Sequence, residues 1–128
     1  MPKILVVEDD VHLRTVIRLV LERANHEVVE AADGWAAISI IDAGLPDLLL
    51  VDLKMPLMSG LELIDRVKSN PSTASLPIVL LTGNRDAAAG LRQQIQVVLK
   101  PFEPDYLLGA LQAALNASRR QTRRSDAC

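Results

Sequence analysis

Aromatic side chains are nearly missing: Trp35, Phe102 and Tyr106 are the only three in 128 residues. The core must therefore be aliphatic, and aromatic-stacking chemistry is poorly supplied. A single cysteine, Cys128, excludes an internal disulfide framework and any cysteine-based zinc site, and it agrees with a reducing compartment. The two histidines, His12 and His26, are too few for a histidine-rich site and read better as a helix-surface and a turn residue than as ligands. No apolar run approaches the ~18 residues of a membrane span. The opening MPKILVVEDD, a short apolar run into three acids, is no secretory signal. A cytoplasmic, soluble protein is expected. Nor does any G-x-G-x-x-G follow the first expected strand, which disfavours Rossmann-type nucleotide binding.

Charge is scarce in sum but unevenly placed. The net charge of −2 divides into +3 for residues 119–128, with four arginines and one aspartate, and −5 for residues 1–118. An acidic body with few aromatics is a poor nucleic-acid binder, so no direct nucleic-acid or membrane partner is expected. The basic stretch reads as a solvated tail or linker, with contact to an acidic partner as the alternative.

The length fits one domain, and such a chain buries roughly 65–70% of its unfolded surface, enough for a core without disulfides or metal staples. Short apolar runs alternate with helix-period segments throughout. ILVV (4–7), HEVVEAA (26–32), LLLV (48–51), LPIVLLT (76–82) and IQVVL (95–99) read as strands. Between them, helices are expected from Val11, over 35–44 with Gly44 as a stop, over 61–70 ahead of Pro71, weakly over 86–94, and from Pro104 onward. Five strand–helix units with apolar strands predict an α/β fold, a doubly wound parallel sheet covered on both faces. In such sheets ligands bind outside the carboxyl ends of the strands, where the strand order reverses.

The residues at those ends are Glu8-Asp9-Asp10, Asp52, Thr82 and Lys100. Carboxylates gathered at one edge repel and raise one another's pKa unless a cation sits among them, and Mg²⁺ suits oxygen ligands beside a phosphate. A threonine hydroxyl and a lysine ammonium suit phosphoryl oxygens. Each residue has a plainer role as well. Asp10 is expected as a helix N-cap, worth about 1 kcal/mol, and for Asp52 alone cap and site stand level. Thr82 alone reads as a strand-end residue and Lys100 alone as a solvated lysine. Their joint order, one group per strand end, changes the balance.

With ILVVEDD (4–10), VDLKMPLMSG (51–60), PIVLLTGN (77–84) and LKPF (99–102), the chain resembles the receiver domain of two-component response regulators from residue 3 to about 118. The resemblance implies a flavodoxin-like sheet of order 2-1-3-4-5, a receiver domain over 1–118 and a tail or linker over 119–128. It implies Asp52 as phosphoacceptor from a phosphohistidine on a sensor histidine kinase or histidine phosphotransfer protein. Glu8, Asp9, Asp52 and the backbone carbonyl of Lys54 would hold Mg²⁺ (or Mn²⁺), Thr82 and Lys100 would grip the phosphoryl oxygens, and the peptide before Pro101 would be cis. An output protein would read the phosphorylated state, and a monomer or weak dimer is expected. The protein would be a signalling phosphoacceptor rather than a turnover enzyme, catalysing only its own phosphotransfer and slow autodephosphorylation.

The chain departs from the family in two places. Val97 stands where an aromatic often lies three residues before the lysine, and Tyr106 cannot replace it by position. Thr82 and Lys100 are 18 apart, about four fewer than is common, roughly one helical turn. A short, mobile fourth helix is therefore predicted, with Gly90 weakening it by about 1 kcal/mol. Lys54 and Asn84 occupy positions that tune dephosphorylation in the family, and Gly83 leaves the site uncrowded. A stand-alone receiver is the leading reading. Alternatives are the amino-terminal receiver of a transcription factor or hybrid kinase, an aspartyl-phosphate phosphatase (disfavoured because Lys54 stands where a second Asp is typical), and a degenerate receiver.

Overall fold

The computed structural model describes residues 1–86, 90 and 95–127. In chain order it contains β1 (Lys3–Val7), α1 (Val11–Arg23), β2 (Glu27–Ala31), α2 (Gly34–Ala43), β3 (Leu48–Asp52), α3 (Gly60–Ser69), β4 (Ile78–Thr82), β5 (Gln96–Leu99) and a last helix, Pro104–Ala127. All strand pairings are parallel, and the order is β2-β1-β3-β4-β5, as the resemblance implied. The helix expected over 86–94, and with it the prediction of a short mobile segment, lies for the most part outside the described residues. The backbone of the last helix continues through 119–127, the stretch expected as tail or linker.

Two-residue alternation divides the strands between two cores. Leu5, Val7, Leu49, Val51, Leu80 and Val97 face one side, where Ala37, Ile41, Leu63, Ile64 and Val67 of α2 and α3 cover them. Ile4, Val6, Leu48, Leu50, Val79, Leu81 and Val98 face the other, under Ile17 and Leu21 of α1 and Leu107 and Leu111 of the last helix. Every residue of β3 and β4 is buried, so these strands read as continuous apolar runs. β2 keeps an exposed residue at each end of a half-buried centre except where Ala31 closes it, as an edge strand should.

Side-chain caps place the helices close behind the strands. Asp10 accepts from the N–H groups of His12 and Leu13, Asp33 from Ala36, and Ser59 from Glu62. The expected cap role of Asp10 is thereby met. β1 lies between β2 and β3, so the reversal of strand order falls beside Glu8 and Asp52.

Candidate functional site

The register brings the strand ends to one edge: Val7 pairs with Val51, Asp52 with Leu81, and Thr82 with Leu99. Asp52 is the last residue of β3, and its carboxyl group is fixed on both oxygens. Oδ2 accepts from Lys100 Nζ at 2.8 Å, and Oδ1 accepts from the Lys54 backbone N–H at 3.4 Å. Lys100 follows β5 directly, and its own N–H donates to the Thr82 carbonyl at 2.9 Å. The plain reading of Lys100 as a solvated surface lysine is therefore wrong. It spans 48 residues to reach Asp52, and its Nζ also lies 3.6 Å from Glu8 Oε1. The Lys100–Pro101 peptide is cis, as expected.

Glu8 is 1% exposed, and its Oε2 is buried without a hydrogen-bond partner. Burial, with the Asp52 carboxyl group alongside, pushes its pKa up to about 8 from the ordinary 4.5, against a lowering pull from Lys100. Burial works against the charge of Lys100, yet the acids of Asp52 and Glu8 more than offset it and hold its pKa above the usual value. Each of Glu8, Asp9 and Asp52 offers one carboxylate oxygen within 4.8 Å of the others. Hard oxygen donors this close, one carrying an orphaned buried atom, fit a hard divalent cation.

Thr82 is buried, and its Oγ1 accepts from the Asn84 N–H at 3.0 Å. Val97, in register with Leu80, is buried as part of the aliphatic core on the α2–α3 face of the sheet. Tyr106 is exposed on the last helix, in keeping with the expectation that it does not substitute. A cavity of about 540 Å³ opens beside the acids, lined by Asp9, Leu53, Lys54, Met55, Pro56, Ser59 and Leu61. His12 is exposed in the first turn of α1, where its backbone N–H donates to Asp10, and His26 lies in the turn before β2, at the opposite ends of the parallel strands from the acids.

One residue was legible only as part of a turn. A Cβ on Gly60 would run into the Asp52 carbonyl oxygen and come within 2.9 Å of Leu53 Cα, while the Gly60 N–H donates to the Leu53 carbonyl at 2.8 Å. The start of α3 thus presses on the backbone that carries Asp52. Leu57 adds a left-handed residue, φ 69°, between Pro56 and Met58, whose N–H closes back onto the Pro56 carbonyl at 2.7 Å. Met58 then plugs the loop into the core against Gly34, where a Cβ would sit 2.6 Å from its Sδ.

Residues 4–112 match the response regulator receiver domain family. The chain is 35% identical over 117 residues to the phosphate regulon transcriptional regulatory protein PhoB of Pseudomonas aeruginosa, a match covering 88% of this chain and 51% of PhoB. It therefore spans about half the length of the PhoB proteins it matches. A second relative, the uncharacterized 14.6 kDa protein in the sodA1 3′ region of Leptolyngbya boryana, is 38% identical over 113 residues, 85% of this chain and 86% of that one. Among solved structures, the chemotaxis response regulator CheY4 of Vibrio cholerae superposes with a TM-score of 0.81 at 30% identity, over 89% of this chain and 98% of that one. Among the described residues no helix is long and apolar enough to cross a membrane.

Proposed function

Since the chain belongs to the receiver-domain family of response regulators, we propose that it is a phosphoacceptor whose Asp52 takes a phosphoryl group from a phosphohistidine on a sensor histidine kinase or histidine phosphotransfer protein. The observation that carries this reading is the convergence of Asp52, Lys100, Thr82 and the Glu8–Asp9 pair at one sheet edge, with Lys100 Nζ 2.8 Å from the Asp52 carboxylate.

A free oxygen pair on Asp52 attacks phosphorus, the P–N bond breaks, and the electron pair leaves with the imidazole, forming an acyl phosphate. β3, buried along its whole length, aims the carboxylate, and the Gly60 contact fixes its backbone. Lys100 releases the Asp52 oxygen and follows the transferred oxygens as a mobile cation, and the Thr82 hydroxyl donates to one of them. Glu8, Asp9, Asp52 and the Lys54 carbonyl would hold Mg²⁺ or Mn²⁺, which when bound neutralises charge on the phosphoryl oxygens. In this reading the protein is a signalling phosphoacceptor that acts only on itself, with slow autodephosphorylation tuned by Lys54, Gly83 and Asn84.

With Val97 packed in the core, the phosphorylated state is read out through the loop after Thr82, where the hydroxyl that accepts the Asn84 N–H would donate its own proton to a phosphoryl oxygen and so tie the loop to the phosphorylated site. A stand-alone receiver is favoured by the relative of similar length. The half-length match to PhoB favours the amino-terminal receiver of a longer regulator, and the length of the native reading frame decides between them.

The direct test is an intact-mass spectrum after incubation with acetyl phosphate, with and without Mg²⁺, beside Asp52→Asn. A gain of one phosphoryl group that requires both the metal and Asp52 is expected. A gain that survives in Asp52→Asn removes Asp52 from the role.

A further inference from the structure

The β1 ladder stops at Val7, yet Glu8 is held at both ends of its backbone. Its N–H donates to the Ala31 carbonyl at 3.1 Å, and its carbonyl accepts from Arg14 Nη1 at 2.7 Å. The same guanidinium donates through Nε to Glu30 Oε1 at 3.1 Å, and the Arg14 side chain is only 17% exposed. Glu30 belongs to β2, in register with Val6 of β1. One arginine on the first turns of α1 thus ties the end of β1 to the edge strand.

The Glu8 carbonyl and the Asp9 N–H belong to a single planar peptide unit. Fixing that carbonyl fixes the plane from which the Glu8 and Asp9 side chains both depart, and these are two of the three acids of the pocket. A guanidinium suits the task because its donors form a rigid fork, so one group can serve a carbonyl and a carboxylate at once.

We propose that Arg14, braced by Glu30, is a positioning residue for the divalent-cation pocket of Glu8, Asp9 and Asp52. The inference rests on the reading of that pocket as a cation site and adds a support that lies outside the ligands. Charge alone predicts the opposite effect. A guanidinium near the pocket repels a cation, so removing it would tighten binding. The sign of the change therefore separates positioning from charge.

The experiment is a calorimetric Mg²⁺ titration of the metal-free full chain at fixed pH and ionic strength, for wild type, Arg14→Gln, Arg14→Lys and Arg18→Gln, with a thermal melt of each. Arg14→Gln is expected to weaken Mg²⁺ binding about tenfold, as loss of an outer support of a metal site does. Arg14→Lys, with its charge kept and its fork gone, is expected to fall between. Arg18→Gln also loses a cation that faces Glu30, at 3.6 Å, but Arg18 pairs with Glu30 and Glu22 and not with the Glu8 carbonyl. Its affinity should stay at or slightly above wild type. If wild type takes up no Mg²⁺, the cation reading falls and the positioning role falls with it. If wild type binds and Arg14→Gln binds as tightly or better, the positioning role is overturned while the cation reading stands. Should the melt show Arg14→Gln unfolded, Arg14→Lys decides, and wild-type affinity in that variant overturns the proposal.

Discussion

Two buried side-chain atoms lack a hydrogen-bond partner among the described residues, and they lie at opposite edges of the sheet: Glu8 Oε2 past the end of β1, and His26 Nδ1 before the start of β2. Both groups are pushed toward their neutral forms, chiefly by burial. Glu8 is pushed up, with Asp52 adding to the effect, and His26 is pushed down, with the positive amino terminus adding to it. What distinguishes them is company. Around Glu8 the strand ends deliver Asp9, Asp52 and Lys100, whereas the backbone contact made at His26 is its N–H to the Leu21 carbonyl at 3.0 Å. An orphaned polar atom is a mark of a ligand only where groups able to share that ligand converge on it. At His26 the same mark is a local penalty of packing the turn beneath α1.

The two ends of the sheet should differ most when Asp52 is changed. Asp52→Asn should abolish phosphoryl uptake from acetyl phosphate altogether in an intact-mass assay, and His26→Leu should leave uptake at wild-type level. If the two variants behave alike, the edges are not functionally distinct. Next in size, Glu8→Gln takes a carboxylate out of the acidic cluster and, on the proposed reading of that cluster as a cation site, should weaken Mg²⁺ binding by about 10-fold or more. The folded pKa of Glu8, about 8, lies above the ordinary 4.5, so the metal-free fold binds this proton more tightly than the unfolded chain does. Metal-free stability therefore declines as pH rises from the unfolded value through about 8. A cation that needs the carboxylate offsets this decline. The Mg²⁺-induced rise in Tm should be larger at pH about 9 than at about 6, and Glu8→Gln should flatten that difference.

The two edges were unequally legible in the sequence. All five strands could be read, since runs such as Leu48–Val51 are buried on both faces and no competing period disturbs them. The acids, Thr82 and Lys100 could be read because each stands where an apolar run ends. Lys100 by itself could not, because the Asp52 oxygen that recruits it is 48 residues away. Arg14 was hidden among the polar positions of α1, where nothing in the helical period separates an arginine bonded to a strand carbonyl from one in water. The burial of His26 was hidden as well, because it depends on how the end of α1 settles over β2 rather than on any local pattern. Gly60 was visible as a turn residue, but the backbone it touches was not.

Gly60→Ala must displace the Asp52–Leu53 backbone, and overpacking of this kind is expected to lower stability by about 1–3 kcal/mol in a denaturant melt while weakening Mg²⁺ binding. Nothing lies within 4 Å of a Cβ on Gly83, so Gly83→Ala should change stability by no more than about 0.5 kcal/mol. Equal losses in the two variants would mean that the pressure of α3 on the Asp52 backbone is relieved by a shift of the loop.

The smallest effect belongs to the opposite edge. His26 is 8% exposed and its folded pKa lies below the ordinary 6.5, so the unfolded chain takes the proton first. The stability that depends on a neutral His26 is complete above about 6.5 and is lost as pH falls through the folded value. Wild type should melt lower at pH about 5 than at about 7 from this source, and His26→Leu, which has no proton to gain and no orphaned nitrogen, should lose that part of the slope. The informative control is Mg²⁺, because a cation bound at the Glu8 edge stabilises folded protein whatever the state of His26. The acid-side slope of wild type should therefore keep its size when Mg²⁺ is added, after the loss of metal binding by the acids themselves is subtracted using His26→Leu as the reference. A slope that changes with Mg²⁺ in wild type but not in His26→Leu would mean that the two orphaned groups are coupled across the sheet.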